Sequence, residues 1–402
     1  MSPVRARMAL LALALGGFSI GSTEFVAMGL LPEIARDLLP DLSVSNPEES
    51  IGRAGWLITA YALGVVVGAP TIAAASARFP RKAVLVGLGV AFTLGTVASA
   101  LAPTFELVVA ARFAAGLPHG AYFGVAALVA AEILGPKKRG QAVAYVLVGL
   151  TIASVIGVPL ITYLGQQSSW RIAYLAVAGL FALTTIALMA VIPVSAANPN
   201  ATIRRELGAF RRPAVWAALL TASLGFGGFF AVYSYVSPLA TEVTGTSSSF
   251  VPIVLAVLGL GTTIGILGGG RLADQMGAVR AIFWLFGGLA LSLVVLGLTA
   301  ESVVGLLVGV FLVGAAAQGL APAIQTRLMD VAEDSQTLAA AVNHSALNIG
   351  NSLGALLGGT VIAAGFGYLA PTWLGLILVV PGTLFALLGW WITRRAAVPV
   401  AA

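Results

Sequence analysis

The sequence predicts an all-α membrane protein, with twelve transmembrane helices arranged as two pseudo-symmetric six-helix halves. Three observations carry that reading. Of the 402 residues, 59% are hydrophobic and 9% charged, with mean hydropathy +1.01; a soluble chain of this size carries about 25% charge. Twelve segments each supply the roughly 20 apolar residues that a bilayer crossing needs. Finally, Lys and Arg fall in short clusters between long apolar runs, which orients a chain in a membrane and argues against reading the net charge of +6 as a nucleic-acid surface. The 48 glycines fit the same picture, because they let membrane helices approach closely.

Taken in order, the first apolar run follows Arg5 and Arg7 and continues through Gly16 and Gly17 to Leu31. It has no polar exit and no small-residue cleavage site, so it is expected to stay as span 1, centred near residue 20, and not to be removed as a signal peptide. Spans 2–6 centre near residues 64, 92, 120, 152 and 182, and spans 7–12 near 226, 262, 290, 315, 350 and 382. With both termini inside, the cytoplasmic segments hold Arg5, Arg7, Arg78, Arg81, Lys82, Lys137, Lys138, Arg139, Arg204, Arg205, Arg211, Arg212, Arg271, Arg280, Arg327, Arg394 and Arg395. That is all but four of the 21 basic residues; Arg36, Arg53 and Arg171 fall outside and Arg112 within span 4. The Asn-, Pro- and Arg-rich stretch 195–213 is expected to be a cytoplasmic linker between an amino-terminal half, 1–194, and a carboxy-terminal half, 214–402. A weak internal repeat agrees: Gly64 and Gly68 recur as Gly261 and Gly265, and Gly149 and Gly157 as Gly350 and Gly358.

Several motifs stand on this scaffold. Span 8 ends in Gly270-Arg-Leu-Ala-Asp274-Gln-Met-Gly277, followed by Arg280. A glycine can end a helix tightly, and the Asp can accept hydrogen bonds from a neighbouring helix N-terminus or an Arg, latching the cytoplasmic side. In the first half the corresponding Gly, Asp and Gly positions are Ala73, Ala77 and Pro80, so such a latch would rest on Asp274 alone. Span 4 carries Arg112-Phe-Ala-Ala-Gly116, span 5 carries Gly149 and Gly157-Val-Pro159, and span 6 begins Trp170-Arg171-Ile-Ala-Tyr174. Together these resemble the major facilitator superfamily, with the 270–280 stretch similar to its G-x-L-a-D-x-x-G-x-x-R gating loop and Gly149, Gly157 and Pro159 similar to a degraded antiporter motif. Ser22-Thr-Glu24-Phe25, the run Tyr61 to Pro70, and Pro118-His-Gly-Ala-Tyr-Phe-Gly124 narrow the resemblance to twelve-span drug:proton antiporters, in the group of arabinose efflux permeases and chloramphenicol efflux proteins. The resemblance implies alternating access by two rocking halves.

Ionisable residues inside a span are functional candidates, because an unpartnered charge there costs several kcal/mol. Glu24 is the expected proton carrier, Arg112 its modulator, and His119, at the kink that Pro118 predicts, a second proton-coupling candidate. Glu24 lies seven residues before Leu31 and Arg112 six after Glu106, which sets them at similar depth. His344, Asn348 and Ser352 line one face of span 11, as Gln318 and Gln325 do on span 10. With Phe25, Tyr61, Tyr122 and Tyr233 they make up the candidate substrate cavity. Each has a plainer reading in helix packing or interhelical hydrogen bonding.

The absence of cysteine excludes disulfides and thiolate metal sites, and two histidines are too few for a histidine cluster. There is no phosphate-binding Gly-x-x-x-x-Gly-Lys-Ser/Thr loop and no nucleophile–base pair, so neither nucleotide hydrolysis nor an enzyme is expected, and no cofactor. The expected function is proton-coupled export of a small neutral or amphiphilic compound, by a monomer in the bacterial inner membrane. The alternatives are a facilitator or importer of a sugar or nucleoside, and a non-transporting receptor.

Overall fold

The computed structural model describes residues 2–76, 78–135, 139–194, 212–332 and 336–396. Residues 195–211 of the expected linker lie outside the described residues, as do Ala77, Lys137 and Lys138. Among the described residues, twelve helices are long and apolar enough to cross a membrane. Spans 1–6 are Pro3–Gly29, Pro47–Ile72, Arg81–Leu101, Phe105–Leu134, Ala144–Gln167 and Trp170–Val191. Spans 7–12 are Pro213–Ser234, Ser248–Met276, Ala278–Thr299, Val303–Val331, Asn343–Phe366 and Ala370–Arg395. Each contains the centre that hydropathy assigns to it.

An even number of crossings puts the first and last spans' outer ends on one side, termed here the terminal face. The opposite, loop face carries three short helices, Leu31–Leu38, Pro40–Ser45 and Pro47–Ala54. Proline opens the second and third of these, where its missing amide leaves no bond unmade. Asp37 ties them to the first half, accepting from Trp170 Nε1 at 2.9 Å and pairing with Arg171 at 3.1 Å. Arg171 also donates to the carbonyls of Ala100 and Ala102, both at 2.8 Å, and so closes the end of span 3.

The repeat is physical. A Cβ on Gly64 or Gly68 would overlap the carbonyl oxygens of Phe113 and Leu117, where span 2 crosses span 4. Gly261 and Gly265 meet Phe311 and Ala315 in the same way, where span 8 crosses span 10. Gly149 abuts the Ala14 carbonyl and the Phe18 amide of span 1, and Gly350 the Ser223 carbonyl and the Gly227 amide of span 7. The same glycines therefore close the same crossings in each half, and two six-helix units of one design result.

Kinks sit where backbone bonds are lost. Span 4 breaks after Gly116 and resumes at His119, because Pro118 has no amide to donate. Span 5 widens into a π-helical turn at Ala153–Gly157 just before Pro159. Span 8 continues through Gly270 and stops at Gly277, whose φ of 84° lies in the left-handed region. The terminating glycine of that loop is thus the second one, and Gly270 is an interior helical residue beside Pro322.

The loop face is where the two halves seal. Gly52 on span 2 meets Gly359 on span 11 backbone to backbone there, and about 16 Å of helix deeper than Ser248, Gly259 on span 8 meets Ser154 on span 5. Gln166 Nε2 donates to the Ser248 carbonyl at 2.9 Å across the same face.

Glu33, on the loop-face helix Leu31–Leu38, is largely buried, and its Oε2 has no protein partner. Burial raises its pKa above the ordinary 4.5, opposed less strongly by its own backbone amide and by Arg36 at 3.7 Å. A carboxyl raised in the folded state stabilises the fold below its unfolded pKa and loses that contribution as pH rises through the folded value. Glu33→Gln should therefore raise the melting temperature in detergent near pH 7.5 and leave it unchanged near pH 4. Equal shifts at both pH values would remove Glu33 titration as the cause.

Candidate functional site

The polar residues singled out in the sequence fall into three places. The first is the centre of the molecule, between spans 1, 2, 4, 6, 7 and 11. Glu24 is buried on span 1, and its Oε1 accepts from Asn351 Nδ2 on span 11 at 3.1 Å. This hydrogen bond joins the halves. Arg112 is wholly buried and donates from Nη1 to Thr23 Oγ1 at 3.2 Å, one residue from Glu24. The guanidinium lies 4.2 Å from the centre of the Tyr61 ring and 5.5 Å from that of Tyr174. Two aromatic faces thus stabilise the cation, a role available to Arg through its planar, weakly hydrated head. Glu24 and Arg112 are close enough to interact electrostatically, yet they make no ion pair within 4.0 Å.

Around this pair several donors and acceptors lack protein partners: Arg112 Nε and Nη2, Tyr233 Oη and Asn351 Oδ1. Buried polar groups are rarely left so, and those that are ask for a reason. Phe25 and Tyr233 pack across the halves with ring centroids 5.2 Å apart and planes tilted by 33°. The arrangement can hold a proton on Glu24, present donors to a polar ligand, and flank it with aromatic surface.

The second place extends from this centre toward the terminal face. Tyr61 Oη lies 3.2 Å from His119 Nδ1, His119 packs against Phe123 at 5.3 Å, and Phe123 stacks at 5.5 Å on His344 of span 11. A line of polar and aromatic groups therefore runs from Arg112 to the second half. On span 10, Gln325 Oε1 accepts from Asn343 Nδ2 at 2.6 Å, a tie to span 11. Asn348 Nδ2 turns back to the His344 carbonyl of its own helix at 3.0 Å, and Gln318 is half-buried.

Tyr122 departs from its expected place. Its hydroxyl donates to the Leu13 carbonyl at 3.0 Å and fills the space that Gly16 leaves, so it belongs to the joint between spans 1 and 4. A tyrosine carries both a large apolar ring and a polar tip, and sequence does not say whether the tip seeks a cavity or a carbonyl.

The third place is the stretch 270–280 at the terminal face. Asp274, Arg271 and Arg280 are exposed, and Asp274 makes no hydrogen bond or ion pair among the described residues. In the first half Arg81 pairs with Glu132, a span 4 carboxylate that motif reasoning overlooked. On span 5, Gly149 and Gly157 pack against span 1, the latter against Phe18 and Ser22, with Pro159 in the first turn of the helix that follows.

Two paired six-helix halves around a buried acid are the architecture of a polytopic membrane transporter. The chain belongs to the Major Facilitator Superfamily, whose family model matches residues 13–303 and 238–401. It is 40% identical over 361 residues to the inner membrane transport protein YdhP of Escherichia coli strain K12, covering 89% of this chain and 90% of that protein. It is 32% identical over 382 residues to the chloramphenicol resistance protein of Streptomyces lividans, covering 93% and 94%. Among solved structures, a D-xylose-proton symporter superposes with TM-score 0.76 at 19% identity, covering 97% and 98% of the two chains, which shows a shared fold.

Proposed function

We propose that this chain is a proton-coupled antiporter that exports a small neutral or amphiphilic compound. The observation that carries the reading is the buried Glu24 carboxylate, hydrogen-bonded across the halves to Asn351 and near Arg112 without pairing to it. The similarity to a chloramphenicol resistance protein supports export of a drug-like compound. The clustering of Lys and Arg supports a cytoplasmic terminal face, in a monomer whose halves 1–194 and 214–402 rock about the linker 195–213.

An ionised Glu24 accepts a charge-assisted bond from Asn351, and this holds span 11 against span 1. Protonation removes the charge and weakens the tie. A substrate carrying an acceptor group competes for Arg112 Nε and Nη2 and for Tyr233 Oη, while its apolar part packs on Phe25 and Tyr233. Proton and substrate thus exclude one another from one site, which is the requirement for exchange. The charge balance of one acid and one base suits a neutral compound better than a dication.

The test is exchange in liposomes with purified protein, beginning with chloramphenicol and with any compound that raises the melting temperature. An imposed pH gradient should drive compound movement against its concentration gradient, with protons flowing the other way. Net downhill flux insensitive to pH would instead place the chain among facilitators.

Asp274 is assigned to gating in the alternate state, in which the terminal face closes. Asp274→Asn should bias the equilibrium toward the loop-sealed state by about 1–3 kcal/mol, the worth of one charged hydrogen bond. Electron–electron resonance distances across the terminal face would report it, and unchanged distance populations would free Asp274 from that role.

A further inference from the structure

At the terminal face of the second half, spans 7, 9, 10 and 12 enclose a pocket walled by Thr221, Ile282, Ile324, Arg327 and Phe385. Phe385 also lines an apolar groove on the outer side of spans 7 and 12, with Trp216, Leu220, Leu388 and Ile392. Pocket and groove are therefore neighbours across one side chain. Pro213 and Ile392 mark the groove's terminal end, and Leu220 lies about two helical turns deeper.

The charged side chain that lines this pocket is Arg327. Arg327 is half-buried, and its Nη2 donates to the Gly389 carbonyl at 3.0 Å and to Thr393 Oγ1 at 2.8 Å. Its Nε and Nη1 donate to no described residue. Pocket and groove contain no acidic side chain, and Asp330, one turn further along span 10, is exposed and forms no ion pair with it. Around the rim stand Arg212, Arg394 and Arg395, the last two lying over Trp390 at 4.9 Å and Trp391 at 3.6 Å. Trp216 is 51% exposed at the same level. Tryptophan beside arginine at a span end is the composition of the membrane–water interface.

The internal repeat gives no structural reason for Arg327. Leu117 and Ala315 occupy matching crossings, and twelve residues beyond them stand Val129 and Arg327. One half closes this position with an apolar side chain, and the other places a cation beside a lipid-facing groove.

We propose that this groove binds one anionic phospholipid, its acyl chain along spans 7 and 12 and its phosphate at the mouth of the neighbouring pocket, on a free N–H of Arg327. Nε and Nη1 each keep an N–H for a phosphate oxygen, the rim arginines add attraction, and the apolar groove takes the chain.

Native mass spectrometry of the full chain in detergent tests this, with dioleoyl-phosphatidylglycerol and dioleoyl-phosphatidylcholine titrated separately. The wild type should retain the anionic lipid at a concentration at least about fivefold lower. Arg327→Gln should abolish that preference. Leu220→Trp, on the lipid-exposed lip, should weaken anionic-lipid retention by filling the groove, and inorganic phosphate should give no thermal protection. Equal retention of the two lipids by the wild type overturns the proposal, as does an intact preference in folded Arg327→Gln. Should that variant lose its monodisperse peak, an intact preference in Leu220→Trp overturns it instead. Protection by inorganic phosphate equal to that by the lipid would overturn the lipid assignment.

Discussion

Glu24→Gln should fold, bind a neutral compound, and lose transport driven by a pH gradient. Glutamine keeps the shape and can still accept from Asn351 Nδ2, so the joint between spans 1 and 11 survives. What it loses is the exchangeable proton, and pH-driven uptake into inverted liposomes should fall to the protein-free level. Arg112→Ala is expected to shift the pH dependence of binding, since it removes a cation near Glu24 and leaves Thr23 and two aromatic faces without it. Wild-type pH-driven flux in the Gln variant would make Glu24 structural, and the proton would then have to be sought along Tyr61, His119 and His344.

Gly52→Val should force the loop face apart. A Cβ on Gly52 falls on the Gly359 carbonyl of span 11 and close to Ala363, and backbone cannot swing aside as a flexible side chain can. Overpacking of this kind costs about 1–3 kcal/mol, which moves a two-state equilibrium by about fivefold to over a hundredfold. Spin-label distances between the loop-face ends of spans 2 and 11 should lengthen, and exchange should slow sharply. An unchanged distance distribution would show that the two glycines are not the point of closure. Gly87→Ala is the matched control, because nothing lies within 4 Å of a Cβ there.

Much of the fold can be read from sequence because in a bilayer a hydropathic run of about 20 residues has one structural outcome. The twelve spans, the Pro118 break and the glycine repeat all follow from local rules. The site is legible only in part. Depth along a helix can be counted, which is how Glu24 and Arg112 come out at similar level, but the facing partner cannot. Arg112 reaches Thr23 and not Glu24 itself, and the carboxylate finds Asn351. Asn351 had a usable signal. It stands seven residues after His344 and three after Asn348, so it shares the polar face of span 11, which the spacing of four traced only through Ser352. Tyr122 shows the converse, since its hydroxyl is claimed by a carbonyl of span 1 that no spacing rule points to.

The meeting of Gly52 with Gly359, and of Gly259 with Ser154, has the character of a bearing. Main chain lies on main chain there, with the Ala363 methyl and the Tyr235 hydroxyl beside the Gly52 contact and no ion pair to separate among the described residues. A joint of that kind is indifferent to ionic strength and supplies no direction of its own. On the proposed function the drive for the cycle acts instead at Glu24 and the amide of Asn351 that reaches it from the other half.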